Sequence, residues 1–417
     1  MRILVVGSGG REHAICWKIS QNRNVEKIFC APGNGGVSLL EKGENVDIKG
    51  VDSLLQFALE NKIDLTIVGS EELLVDGIVD RFKEAGLKIF GPDKKSALLE
   101  GSKSFAKDFM KKYGIKTAEY ATFTKADKAK EYLNNCKYPI VVKASGLAAG
   151  KGVIICQDKL EANKAIDDIM VDKIFKDAGN EVVIEEFLEG VEASILSITD
   201  SNIIVPFISA KDHKKIGEKE TGLNTGGMGT IAPNPYVTKS VYENFITDIM
   251  NPTLEGIKKE KMDFAGFIFF GLMITEKGVY LLEYNMRLGD PETQVVLPLL
   301  ESDFIDILNL AMDKKLNECH IKWSNKNACC VVVASGGYPK EYKKGYEING
   351  IDKINDLVFI AGANEKDGKL YTNGGRVLNI VALGNTLDEA RKKVYSEIEN
   401  IDFEDKYYRK DIGILYK

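Results

Sequence analysis

Apolar residues open this chain as short unbroken runs separated by stretches of helical period. Ile3–Val6, Lys27–Ala31, Ile63–Val68 and Leu87–Phe90 read as buried strands, and Arg11–Ile19, Asp52–Asn61 and Leu73–Ala85 between them read as helices. Strands that alternate with helices predict a doubly wound parallel sheet, with ligand loops at the carboxyl ends of its strands. Two of those loops are rich in glycine, Gly7-Ser8-Gly9-Gly10 and Pro32-Gly33-Asn34-Gly35-Gly36.

The pattern then changes. A helix is expected over Lys103–Tyr113, and strands over Ala118–Phe123, Tyr138–Lys143, Val153–Cys156 and Glu181–Phe187. Helices at Asp127–Asn135 and Leu160–Val171 lie between them. Ser209–Gly229 has no apolar period, and such a segment inside a compact domain is usually functional or disordered. Val237–Lys259 reads as a long amphipathic helix. The apolar run Phe264–Thr275, a Lys277-Gly278 turn and Val279–Tyr284 then form a hairpin pattern. After Trp323 come strands at Ala328–Ala334, Val358–Ala361, Leu370–Asn373 and Val377–Ala382 and a helix at Leu387–Ile398, a small α+β unit expected to pack over a cleft. The divisions expected are 1–102, Rossmann-like, then 103–325, then 326–417.

Totals narrow the class. The 417 residues suffice for about three domains. The 62 acids against 56 bases leave a net charge of −6, which argues against a general nucleic-acid or membrane-surface binder. The longest apolar run is too short to span a bilayer, and the start reads as strand and turn rather than a signal peptide. Seven cysteines without a CxxC pair and three histidines fit a reducing cytoplasm and disfavour a Cys/His metal site.

Candidate chemistry centres on residues 281–294, LLEYNMRLGDPETQ. On a strand Glu283, Asn285 and Arg287 share a face. Carboxylate and amide oxygens side by side suit Mg²⁺, with water and substrate phosphates completing the shell. Arg287 adds a cation for phosphate or carboxylate. Asp290-Pro291-Glu292 reads as a helix start with Asp290 as N-cap. At the N-terminus Glu12 stands where GxGxxG needs its third glycine, so no dinucleotide assignment follows. Backbone amides at that helix start, with Arg11, still favour an anion. SGLAAGKGVIIC, Ser145–Cys156, is near a Walker A loop, but its glycines are one residue too close and Gly152 replaces the Ser/Thr. It reads instead as a flexible flap in which Lys151 lies over phosphates and Lys143 reaches in from the preceding strand. In EEFLEGVEAS, Glu185–Ser194, backbone at a strand end suits adenine, and Glu192 in the loop beyond suits ribose hydroxyls. Asp212, His213 and Lys214 are polar enough to orient a small anion, while His213 as a general base competes with a merely solvated histidine. An N-terminal turn and a Gly374-Gly375-Arg376 loop could together grip a phosphate.

GSGGREHA at Gly7, TGLNTGGMG, RLGDPETQ and the closing YYRKDIG at Tyr407 carry a resemblance along almost the whole chain. The chain resembles the glycinamide ribonucleotide synthetase family of the ATP-grasp superfamily. The resemblance implies an N-terminal doubly wound domain, an ATP-grasp core with an inserted lid at about 120–190, and a C-terminal α+β domain. It implies ATP-dependent ligation of glycine to 5-phosphoribosylamine through glycyl phosphate, in purine biosynthesis, by a cytoplasmic monomer with no nucleic-acid or membrane partner. Around ATP it places Lys103, Lys143, Lys151, Glu185, Glu186, Phe187, Leu188 and Glu192. It gives Mg²⁺ or Mn²⁺ to Glu283 and Asn285, and catalytic work to Lys143, Arg287 and Asp290. Substrate would meet Gly9, Gly10, Arg11, Glu12, Asp212, Asn224, Thr225, Gly226, Arg287, Asp290, Pro291, Glu292, Gly375 and Arg376. Ser145, Lys215, Leu223, Glu218 and Glu220 depart from the family's usual residues, and the strand before Glu283 carries no second metal carboxylate. The rival classes are another ATP-grasp ligase or carboxylase, an NAD(P) oxidoreductase suggested by the first βα turn, and a nucleotide sensor without turnover.

Overall fold

A computed structural model describes residues 1–148 and 151–415. The first sheet is parallel, with strands in the order Gly43–Asn45, Lys27–Pro32, Arg2–Gly7, Leu65–Val68 and Ile89–Phe90. Its inner strands have apolar middles because both faces are covered, while the edge strand Gly43–Asn45 is polar and largely exposed. Ile3 and Val5 pack with Ile15 and Ile19 of the helix Gly10–Ser20, while Leu4 and Val6 pack with Leu54, Ile78 and Phe82. The doubly wound sheet expected from the alternation is therefore present. Leu73–Ala85, expected as one helix, is two, Glu71–Asp76 and Ile78–Glu84, because Gly77 between them takes a left-handed φ of 91°. A helix at Lys94–Gly101, capped by the Asp93 side chain on Ser96 N–H, was not expected.

Residues 120–186 hold a separate antiparallel sheet in the order Tyr120–Phe123, Val182–Glu186, Ile140–Ala144 and Val153–Cys156. Ala129, Ala162, Ile166 and Ile169 give it its own small core.

The third sheet joins the middle of the chain to its end. Its path runs Gly278–Asn285, Gly266–Thr275, Val191–Thr199, Ile204–Asp212, Gly229–Ala232, Asn327–Ser335, Arg376–Gly384 and Leu357–Ile360, with Lys406–Tyr407 paired to Asn327–Ser335. The C-terminal strands thus extend the central sheet, where the sequence suggested a unit packing over a cleft. Two strands at its centre, Val191–Thr199 and Ile204–Asp212, were not expected. An acidic, glycine-bearing stretch masks the start of the first, and Pro206 interrupts the second. The predicted hairpin of residues 264–284 is present, antiparallel, with a register shift between Gly271 and Leu272. Among the described residues no helix is long and apolar enough to cross a membrane.

Candidate functional site

The N-terminal turn meets the 286–294 loop. Gly9 N–H donates to Glu12 Oε2 at 2.6 Å and Arg11 N–H to Asp290 Oδ2 at 3.4 Å. The helix N-terminus expected to cradle an external anion is thus faced by two of the chain's own carboxylates. Glu12 fills the space a dinucleotide pyrophosphate would need, which closes the oxidoreductase reading. Arg11 is engaged as well. Its Nε lies 2.5 Å from Glu12 Oε1, its Nη1 donates to Leu288 O at 3.0 Å, and Glu71 stands 3.9 Å away. Gly10 is required by close approach, since a Cβ there would lie 2.3 Å from Asn379 Nδ2 and 2.6 Å from Gln294 Nε2. Asn379 is buried and donates to Phe359 O, so neither neighbour yields freely. Gly10→Ala should cost about 1–3 kcal/mol by overpacking and push Gln294 off Asp290. Chemical denaturation beside kcat/KM checks this, and wild-type values for both would refute it.

Asp290 is not the N-cap expected of it. The helix begins at Thr293 with Glu292 as its cap residue. Asp290 Oδ1 accepts instead from Gln294 Nε2 at 2.8 Å and lies 3.3 Å from Arg376 Nη2. Burial pushes this carboxyl up, but Arg376 and Arg11 outweigh it and hold its pKa below the usual range. Arg376 Nη1 also donates to the backbone oxygens of Asp290 and Gly226. Tyr338, a residue the sequence reading passed over, accepts from Gly226 N–H at 2.9 Å and packs where a Cβ on Gly375 would fall 2.2 Å from its ring.

Asp212 and Glu292 face each other. Burial first, and then the neighbouring carboxylate, push Asp212 well above the ordinary range, and burial also raises Glu292. Asp212 Oδ1 is buried without a hydrogen-bond partner among the described residues, while Glu292 Oε1 accepts from Ser194 Oγ at 3.0 Å. Two acids side by side repel an anion, which stands against the expectation that Asp212 orients one. Lys214 lies 2.7 Å from Glu192. Asn224, Thr225 and Gly226 lead back under this group, with Thr225 N–H donating to Lys214 O at 2.8 Å.

His213 is neither a base nor solvated. It is buried, its Nδ1 lies 3.1 Å from Gly229 O, and its Nε2 accepts from Gly413 N–H at 3.4 Å. Burial, helped by Lys211 and Arg409, lowers its pKa to about 3, and burial alone lowers that of His13 to about 4. Both pKa values lie below the unfolded value of about 6.5, so the unfolded chain takes up protons first as the pH falls. Stability is fully present above pH 6.5 and is lost as the pH drops toward 4, by about 2 kcal/mol per histidine at pH 5. Denaturation of His13→Gln at pH 7 and pH 5 should show a weaker pH dependence than wild type. An unchanged slope would remove His13 from this account.

A second basic group lies between the lid and the central sheet. Lys143 Nζ is 2.9 Å and Lys107 Nζ 3.1 Å from the same Glu185 oxygen. Lys107 also donates to Thr117 Oγ1, and burial brings its pKa down to about 8. It was not among the expected residues, although it lies one turn beyond Lys103 on the same helix face. Burial likewise lowers Lys103, which feels Glu283 and Lys143. Ser145, a departure from the family's residues, accepts from Ser104 N–H at 3.1 Å and so ties the flap's base to that helix. Glu186 holds Glu119 N–H, and Phe187 and Leu188 leave the strand end, with Phe187 exposed. Glu192 lies on the strand Val191–Thr199 and not in a loop. Lys151 lines a cavity of about 670 Å³ with Gly337, Pro339, Lys340 and Glu341. The middle of the glycine flap, residues 149–150, lies outside the described residues.

Between the two basic groups stands Glu283. Burial pushes its pKa up, but Lys214, Lys103, Lys143 and Arg287 outweigh that and hold it below the ordinary value. Asn285 Oδ1 accepts from Arg287 Nη2 at 3.1 Å. Two acids unforeseen in the sequence steer Arg287. Glu100 lies 2.9 Å from Nη2 and also holds Met286 N–H, and Glu71 lies 3.6 Å from Nε. Among the described residues no three Asp, Glu, His or Cys side chains gather as a metal cage. Glu283 and Asn285 therefore fit a divalent ion that arrives with phosphate oxygens and water, not one held by protein alone.

Models of phosphoribosylglycinamide synthetase match the chain in three parts: the N domain over residues 1–100, the ATP-grasp (A) domain over 101–293 and the C domain over 328–415. A phosphoribosylamine–glycine ligase of Clostridium acetobutylicum is 62% identical over 99% of each chain. One of Fusobacterium nucleatum is 60% identical over 100% of this chain and 99% of its own. The crystal structure of phosphoribosylamine–glycine ligase from Thermotoga maritima superposes with a TM-score of 0.88 at 36% identity, covering 99% of this chain and all of its own. A biotin carboxylase from Campylobacter jejuni, at 14% identity and a TM-score of 0.74 over 99% of this chain and 94% of its own, shares the fold alone.

Proposed function

This chain belongs to the phosphoribosylglycinamide synthetase family, as an ATP-dependent ligase of purine biosynthesis that joins glycine to 5-phosphoribosylamine, and from that premise we propose how its residues divide the work. The observation that carries the division is Glu283, which stands where the Lys103–Lys143 group meets Lys214 and Arg287. Phosphoryl donor and acceptor must meet where opposite sides of a cleft bring charge to one point.

On the nucleotide side Lys103, Lys143 and Lys107 balance phosphate charge. The strand end Glu185–Leu188 borders the base, Lys151 covers the phosphates, and Glu192 with Lys214 borders the sugar. Glu283 and Asn285 would hold Mg²⁺ or Mn²⁺, which supplies charge neutralisation at the phosphates when bound. The γ-phosphoryl group passes to a carboxylate oxygen of glycine, leaving ADP, with Arg287 holding that carboxylate. The amine of phosphoribosylamine then attacks the acyl carbon, phosphate leaves, and the amine gives up a proton. Burial and the Glu292 charge raise the pKa of Asp212, so this carboxylate would take the proton. Gly9, Gly10, Arg11 and Glu12 shape the wall on which Asp290 and Arg376 stand, and Gly375 and Gly226 let that wall approach the sugar phosphate.

The reaction is cytoplasmic in this reading, and seven free cysteines accord with that. ADP release in the presence of glycine and chemically generated phosphoribosylamine, with each component omitted in turn, tests the reading. Requirement for all three supports it, and equal turnover with another amino acid would return the chain to a different acid substrate.

A further inference from the structure

The motif YYRKDIG lies outside the residues assigned to substrate or metal above, yet the structure gives its residues specific partners. Residues 215–224 form a two-stranded hairpin, Lys215–Gly217 with Thr221–Asn224, between Lys214 and Thr225. None of its residues is buried; Lys215, Ile216, Gly217 and Asn224 are half-buried, and Ile216 packs against the C-terminal core. A hairpin with no core of its own is marginal in water. Its position must come from polar ties.

Those ties converge on the C-terminal tail. Tyr407 Oη donates to Ile216 O at 2.7 Å, and Lys219 N–H donates to Asp411 Oδ2 at 2.8 Å. Arg409, with no exposed surface, forks onto Asp411 through Nε and Nη2 at 2.8 Å each. The same guanidinium donates to Lys215 O and to Glu220 Oε1, both at 2.9 Å. The fork on Asp411 fixes the plane of the guanidinium, so its remaining N–H groups are aimed before they meet the hairpin. Tyr395 of the helix Leu387–Ile398 donates to Arg409 O and anchors the tail in turn. Beyond the hairpin, Gly226 has its N–H on Tyr338 and its carbonyl on Arg376. The segment between Asp212 and Gly227 is thus gripped by C-terminal residues at two separate places.

We propose that Arg409 is a positioning residue for phosphoribosylamine. It acts through the hairpin, setting where Gly226 stands relative to Arg376 and Asp290. This rests on the assignment of those residues to the sugar phosphate. Arg409 is fully buried and holds the hairpin and Asp411.

Arg409→Lys and Glu220→Gln provide the test. An ammonium cannot hold Asp411, Glu220 and Lys215 O together, and Glu220→Gln weakens the tie from the exposed hairpin side, so it leaves the C-terminal core intact if Arg409→Lys fails to fold. Hydrogen exchange over residues 213–226 should accelerate in each folded variant, with residues 327–335 unchanged. The KM for phosphoribosylamine should rise about five- to fiftyfold in Arg409→Lys and about two- to fivefold in Glu220→Gln, with the KM for ATP within about twofold. Unchanged exchange would show that the tail does not hold the hairpin. Faster exchange without a change in phosphoribosylamine KM would show that the hold does not position substrate, and an equal rise for ATP would show general loosening. Each of these overturns the proposal. Arg376→Ala run alongside separates the causes. If it too leaves phosphoribosylamine KM unchanged, the sugar-phosphate assignment has failed and the positioning role falls with it. If it raises that KM while the two variants do not, only the role of Arg409 is lost.

Discussion

Turnover of Glu283→Gln is expected to fall by about two to four orders of magnitude, the scale on which a transition-state charge partner is lost. The amide keeps the shape and one oxygen but removes the negative charge that Lys103, Lys143, Lys214 and Arg287 surround. Two consequences follow. A divalent ion loses its only charged protein ligand in this reading, because Asn285 is neutral. Four cations also lose their shared counter-charge, so the lysines and arginine repel each other where phosphoryl transfer needs them close. The second effect is a stability cost, and it is modest because the side chain is half-buried and water screens part of it. Single-turnover kinetics at saturating ATP, with Mg²⁺ varied, separates metal loss from misfolding. A wild-type rate at limiting Mg²⁺ would take Glu283 out of the metal site.

Arg376→Ala is expected to raise the KM for phosphoribosylamine about ten- to a hundredfold, corresponding to about 1.5–3 kcal/mol for a lost charged hydrogen-bond partner. The structure sharpens why. Arg376 does not reach out from a free loop. It is already bonded to Asp290 and to the backbone of Gly226, and it couples the C-terminal strand Arg376–Gly384 to the loop after Glu283. Removing it leaves Asp290 with Arg11 and Gln294 as partners and frees Gly226 on one side. The KM for ATP should stay near its wild-type value, since the lysines that balance the nucleotide lie on the lid and the helix Lys103–Lys112. Kinetics with each substrate varied separately checks this. An equal weakening of ATP would show that Arg376 supports the whole cleft and not the sugar phosphate. The companion idea, that Arg11 supplies a second free charge, does not hold, because Glu12, Leu288 O and Glu71 already occupy its guanidinium.

What was legible from the sequence alone has a common physical character. The doubly wound sheet follows from apolar strands alternating with helices, which only burial on both faces explains. The hairpin carrying Glu283 and Asn285 follows from an apolar run, a Lys277-Gly278 turn and a second short strand. These signals are local, encoded within about ten residues. The tertiary structure decided what depends on partners far along the chain. Val191–Thr199 and Ile204–Asp212 become central strands because neighbours on both sides complete their ladders. Asp290 looked like a cap from its neighbours in sequence, but Arg376, 86 residues on, claims its carboxylate region. His213 looked solvated in a polar loop, and the tail at Gly413 buries it. Glu71, Glu100 and Tyr338 carry no local mark of function. They matter because folding places each beside a group that needs a charge or a hydrogen bond, and no window of sequence contains both members of such a pair.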